Sequence, residues 1–118
     1  MLSKTNRLSK NGSFGYVYKH GSPVYGRAMT LICVHNSNSV VRVGFSVNNK
    51  IGKAVVRNKV KRRMRGFIAT QLSLMKGCQC VFVAKQGIDQ MSYDELCAQM
   101  RRMLKKADLY KNEEEIDR

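Results

Sequence analysis

Nine basic side chains, Arg42, Lys50, Lys53, Arg57, Lys59, Lys61, Arg62, Arg63 and Arg65, fall within a stretch that contains no carboxylate. Arginine grips two phosphate oxygens with its planar fork and can stack on a base, while lysine supplies a compact positive charge. Asn58 adds an amide that donates and accepts. Gly52 allows close backbone approach, and the positive end of a helix starting just after it adds fixed potential for an anion. This is the chemistry of holding a polyanion. Phe14, Tyr16 and Tyr18 form a second group, because aromatic faces are stacking platforms for unpaired bases. On the residues alone, core packing is an equal alternative for Phe14 and Tyr18, and Tyr16 reads as a partly exposed position.

The charge distribution sharpens the first point. The net charge is +14, yet all eight acidic residues lie from Asp89 onward, while sixteen Lys and Arg precede it. A metal-dependent nuclease acting through its own carboxylates would have to build its site from the last quarter of the chain. There, Asp94 and Glu95 read as a helix start, and Glu113, Glu114, Glu115 and Asp117 as a frayed solvated tail over about 112–118. The four cysteines, Cys33, Cys78, Cys80 and Cys97, lack zinc-finger spacing and read as buried free thiols. His20 and His35 have no partner pattern. The first twenty residues show no apolar signal-peptide core, and no run approaches membrane-spanning length, so a reducing cytoplasmic setting is expected.

These side chains need a scaffold. With 118 residues, 43% of them hydrophobic, the chain can bury one core, so one domain over 1–118 is expected. Val56, Val60, Met64, Phe67, Ile68, Leu72 and Met75 recur at three- and four-residue steps, which predicts a helix of about five turns beginning near Ala54. Its apolar stripe leaves Asn58, Lys59, Lys61, Arg62, Arg63 and Arg65 on the remaining surface and Arg57 at the seam. Ser92 and Glu95 spell a capping box, with Met91 and Leu96 as its staple, opening a helix over about 92–107 striped by Leu96, Met100, Met103, Leu104 and Ala107. Ala28 to His35 reads as a buried strand, Val40 to Val47 alternates as a half-wet strand, and Cys80 to Ala84 is a short β-branched strand. Gly21-Ser22-Pro23 reads as a turn. Phe14, Val17 and Tyr18 suggest a short helix that Gly12 and Gly15 weaken. The economical arrangement is a sheet covered by helices on one face.

The stretch VGFSVNNKIGKAVVRNKVKRRMR, with RLSKNGSFGYVYKHG before it, resembles the protein component of bacterial ribonuclease P from about Arg7 to Leu109. The family's Arg-Asn-Arg helix start appears here as Arg57-Asn58-Lys59, followed by Lys61, Arg62 and Arg65. Lys59 departs from the usual Arg, keeping charge but losing a bidentate fork, and Tyr18 stands where Phe is common. The resemblance implies an α+β sandwich of about four mixed strands and three helices, with a left-handed βαβ crossover around the basic helix. It also implies a subunit of an endoribonuclease whose RNA carries the chemistry. The protein would contribute Lys50, Lys53, Arg57, Asn58, Lys59, Lys61, Arg62 and Arg65 to RNA binding, within a basic region over about 7–66. A cleft of Arg7, Lys10, Phe14 and Tyr18 would hold the 5′ leader of precursor tRNA. Mg²⁺ would be bound mainly by the RNA and substrate, with no catalytic or metal residue on the protein. The partners would be the catalytic RNA and precursor tRNA, without membrane or DNA. The other reading of the basic helix is a ribosomal or RNA-chaperone protein that takes no part in an enzyme.

Overall fold

A computed structural model describes residues 2–8 and 11–112, with only the backbone at 11 and 12. Lys10 and the acidic tail from 113 onward therefore lie outside the described residues. In chain order, the main elements are α1 (Asn11–His20), β1 (Ser22–Tyr25), β2 (Met29–His35), β3 (Val41–Ser46), α2 (Ala54–Gln71), β4 (Cys78–Ala84) and α3 (Tyr93–Lys106).

The strands form one mixed sheet in the order β1-β2-β4-β3. β2 pairs antiparallel with β1 and β4, whereas β3 lies parallel to β4, the two being joined through α2. Side-chain alternation then decides what faces what. Register aligns Leu31 with Phe82, Cys33 with Cys80, Val43 with Cys80 and Phe45 with Phe82. These residues meet the stripes of α2 and α3, notably Val60, Met64, Phe67, Ile68, Leu96, Met100, Met103 and Leu104, in one buried cluster.

The intervening residues of the same strands face the other way. Val81, Ile32 and Val83 pack there with Leu8, Phe14 and Val17 of the N-terminal segment and α1. Helices thus cover both faces of the sheet rather than one. The single-face expectation fails because it treated α1 as marginal. Fully buried Val17 fixes α1 onto Val81 despite Gly12 and Gly15, so packing overrides helix propensity. β1 is a second difference. Ser22 and Pro23, read as a turn, belong to an edge strand, where proline is tolerated because one side of the ladder is unpaired.

The predicted basic helix is five turns long and starts at Ala54, but it ends at Gln71. Leu72–Leu74 tightens into a 3₁₀ turn, so Met75 reaches the core from extended chain. The C-terminal helix begins as read, with Ser92 Oγ accepting from the Glu95 amide and Glu95 Oε1 accepting from the Ser92 amide, both at 3.1 Å. These bonds hold the Glu95 carboxyl below its ordinary pKa. It ends in a Schellman turn: the Leu109 amide donates to the Leu104 carbonyl and the Asp108 amide to that of Lys105. Asp108 takes the left-handed position at φ 56°.

Phe82 lies at the centre of the sheet, fully buried and stacked 6.0 Å from Phe45. Phe82→Ala is expected to cost about 3–5 kcal/mol, measured by urea unfolding, as large-to-small core changes of this type do. A loss below about 1 kcal/mol would show that the centre of the core lies elsewhere.

Candidate nucleic-acid interface

The turn into α2 is built from a capped 3₁₀ turn and a glycine. Asn48 Oδ1 accepts from the Lys50 amide at 2.9 Å, and Ile51 anchors the turn by burial. Gly52 then adopts φ 157°, ψ −169°, a region essentially restricted to glycine. Its carbonyl accepts from Arg57 Nε at 3.1 Å, which ties the guanidinium stem to the start of the helix.

From that anchored start, α2 displays its cations in graded fashion. Lys50, Lys53, Asn58, Lys59 and Arg62 are exposed, whereas Arg57, Lys61, Arg63 and Arg65 are half-buried along their stems. Arg63 Nη1 donates to the Met91 carbonyl at 3.4 Å. The side chains of Lys50, Lys53, Asn58, Lys59, Lys61, Arg62 and Arg65 engage no hydrogen bond or ion pair among the described residues. Among the described residues, Lys76 to Asp108 at 3.1 Å is the one salt bridge, and it lies beyond the C-terminal end of α2. A helix face so supplied with donors and so empty of acceptors can take an acidic polymer without first breaking internal pairs.

The aromatic candidates sit on the opposite side of the sheet from the main core. Phe14 is half-buried in the smaller cluster, and its ring lies 6.4 Å from that of Tyr18, inclined by 47°. Tyr18 is 45% exposed, so the pair presents one anchored ring and one open face. Gly44 makes this possible: a Cβ there would stand 2.5 Å from Phe14 Cζ. The alternation of β3 already placed Gly44 on the wet side, but only the packing of α1 reveals that Phe14 occupies the space. Tyr16, 49% exposed, points elsewhere, its ring 4.7 Å from that of His20 and inclined by 41°.

Arg7 is exposed and forms a parallel bridge to Val43, while the Leu8 amide donates to the Val43 carbonyl at 3.1 Å. The N-terminal segment thereby lies along the outer edge of β3. This arrangement brings Phe14 and Tyr18 to the α1 side of the sheet, leaves Arg7 at the β3 edge paired with Val43, whose side chain faces the main core, and keeps the cations of α2 on a separate helix. Arg42, one of the nine cations of the basic run, also lies on the α1 side. Register puts it beside Gln79 on the sheet face that Phe14 and Val81 share, exposed and without a partner among the described residues.

Other chemistry finds little support. Cys33, Cys78 and Cys80 are buried and unpaired, and burial with the neighbouring Cys78 pushes the Cys33 thiol up to about 11, where it is a poor nucleophile. Among the described residues, no three His, Cys, Asp or Glu side chains gather as metal ligands. No described helix is long and apolar enough to cross a membrane.

Comparison with known proteins places this geometry. The family model described as Ribonuclease P matches residues 2–108. The chain is 36% identical over 115 residues to the ribonuclease P protein component of Caldanaerobacter subterraneus subsp. tengcongensis, covering 97% of this chain and 99% of that one. It is 34% identical over 111 residues to the component from Bacillus velezensis, covering 93% and 96% of the two chains. The solved ribonuclease P protein of Staphylococcus aureus superposes with a TM-score of 0.85 at 29% identity, over 92% of this chain and all of that one.

Gly44→Ala is expected to push the Phe14 ring off β3 while leaving the fold in place, because the clashing atom is the end of a side chain. Unfolding free energy should fall by about 1 kcal/mol or slightly more, and the Phe14 ring resonances should move in a proton NMR spectrum. Unchanged ring shifts would mean that Phe14 does not rest on Gly44.

Proposed function

The chain belongs to the ribonuclease P protein family, and from that premise we propose that it serves as the RNA-binding subunit that assists RNA-catalysed removal of the 5′ leader from precursor tRNA. The observation that carries this reading is the unpaired cationic face of α2, anchored at Gly52 and held to a buried sheet. Lys50, Lys53, Arg57, Lys59, Lys61, Arg62 and Arg65 offset phosphate repulsion as RNA approaches, and Asn58 offers a further donor and acceptor. Arg57 and Arg65 are partly pre-organised by their half-buried stems, which lowers the entropy lost on binding.

On the other side of the sheet, Phe14 and Tyr18 take unpaired leader bases by stacking, with Arg42 on the same face and Arg7 at the β3 edge to meet the strand's phosphates. Contacts to phosphate and to the faces of bases carry little sequence information, so leaders of different sequence are held alike. This division suits a protein that must accept many precursors.

Mg²⁺ belongs to the RNA in this reading. The described carboxylates do not fit a protein-borne site: Glu95 is held by its capping box and Asp108 by Lys76, and Asp89 and Asp94 do not gather with other ligands. The hydrolytic chemistry that such a metal would supply would fall to the RNA, and the protein's share is to bind, orient and neutralise.

Arg62→Ala and Arg65→Ala are each expected to weaken precursor binding in a salt titration and to reduce the slope of log K against log salt by about one per lost phosphate contact. Circular dichroism should stay unchanged. An unaltered slope in both variants would contradict a phosphate role for α2. A companion assay separates the subunit from a self-sufficient nuclease: RNA-free protein should leave precursor tRNA intact yet raise cleavage by its cognate RNA at low Mg²⁺. Leader removal by the protein alone would overturn the proposal.

A further inference from the structure

A second polar groove lies on the α3 side of the sheet, away from Phe14 and Tyr18. It encloses about 580 Å³ between the β1–β2 turn, the segment after β4 and the first turns of α3. That volume falls in the range of built ligand sites, roughly 300–1,000 Å³. Arg27, Gln86, Gln90, Glu95, Gln99 and Arg102 contribute its polar groups.

Gln99 is the informative residue. It is only 7% exposed, and its Oε1 accepts from the Ala28 amide at 2.9 Å. Because a backbone N–H can only donate, this bond fixes the side-chain amide with its oxygen toward Ala28 and its NH₂ elsewhere. That nitrogen makes no hydrogen bond to any described residue. It is also not among the side-chain atoms sealed from solvent without a partner. A nine-tenths buried side chain therefore holds two unused donors toward the groove it lines.

The charged groups around it are held by no close ion pair among the described residues, although the Arg27 charge acts on the Glu95 carboxylate through space. Arg27 and Arg102 are exposed and engage no hydrogen bond or ion pair among the described residues. Glu95 spends Oε1 on the Ser92 amide, and its other oxygen has no partner. A bare anion would meet that carboxylate as a repulsive neighbour. A ligand that carries phosphate at one end and amino donors at the other suits two guanidinium groups, amides and one free carboxylate oxygen together. The groove also continues the basic surface of α2. Met91 lines it, and the Met91 carbonyl accepts from Arg63.

We propose that this groove holds one unpaired nucleotide of the RNA bound by α2, with Arg27 and Arg102 on its phosphates and Gln99 with Glu95 on its base edge. The inference rests on the RNA-binding reading above and adds a third contact surface to it. Because the sheet separates the groove from Phe14, the occupant is a different segment from any strand stacked on α1. Unlike the aromatic face, the groove offers base-edge groups, so it discriminates between bases.

The test uses the full chain and its cognate RNA. Affinity by filter binding is measured for the unaltered protein, for the double variant Arg27→Ala with Arg102→Ala, and for Lys105→Ala with Lys106→Ala. The last pair removes the same charge from the end of α3 outside the groove. The groove variant should lose at least about tenfold, as lost hydrogen bonds to charged groups do, and the control less than about threefold. Photocrosslinking with 4-thiouridine-substituted RNA should place a crosslink in the peptide 86–102 of the unaltered protein and not of the groove variant. Equal losses in both variants, or a groove variant that binds like the unaltered protein, would overturn the groove while leaving RNA binding by α2 intact. Failure of the unaltered protein to bind RNA at all would overturn both readings.

Discussion

The structure depends on a conflict between charge and burial along α2. Five like-charged pairs at three- and four-residue spacing, such as Arg57 with Lys61 and Lys61 with Arg65, repel each other with no acid on the helix to offset them. Such pairs cost roughly 0.2–0.5 kcal/mol each, about 1–2.5 kcal/mol in sum. Burial of Val60, Met64, Phe67 and Ile68 opposes this at roughly 1.5–3 kcal/mol per side chain. Burial wins, so the helix forms with its repulsion unrelieved. A polyanion relieves it, and the binding free energy of the basic face includes that relief.

The same logic explains why the two candidate surfaces differ in kind. On the α2 side, α2 and α3 together cover the sheet face, and the outer surface of α2 is charged. On the α1 side, a smaller cluster of Leu8, Val17 and Val81 holds the helix only partway across, leaving Phe14 and Tyr18 at the margin of an open sheet face. Charge serves the first surface and aromatic area the second. Each is placed by the alternation of the same strands, since neighbours such as Val43 and Gly44 face opposite layers.

Much of this was legible in the residues. The stripe from Val56 to Ile68 specified α2, and Ser92 with Glu95 specified the start of α3, because helical periodicity and caps are local signals. β1 was hidden, since an edge strand carrying Ser22 and Pro23 looks like a turn until its pairing with Ile32 and Cys33 is seen. The second layer was hidden as well. Phe14, Gly44 and Val81 are remote in sequence, and Gly44 in particular reads as a weak strand residue rather than as a seat for a ring. Arg27, Gln99 and Arg102 come together only through the fold, and a glutamine on an apolar helix face gives no warning that its amide is half used. The resemblance to ribonuclease P proteins supplied the arrangement of strands and helices, and the family match bears it out. The roles of individual site residues rest on geometry and chemistry.

The most direct measurement is to purify the chain from its own cells under mild salt and sequence the RNA that stays bound. The account predicts one structured RNA of the ribonuclease P type, with precursor tRNAs enriched alongside it. Recovery of ribosomal RNA instead, or of no RNA above a charge-matched control, would contradict the claim that the exposed face of α2 is built for that partner.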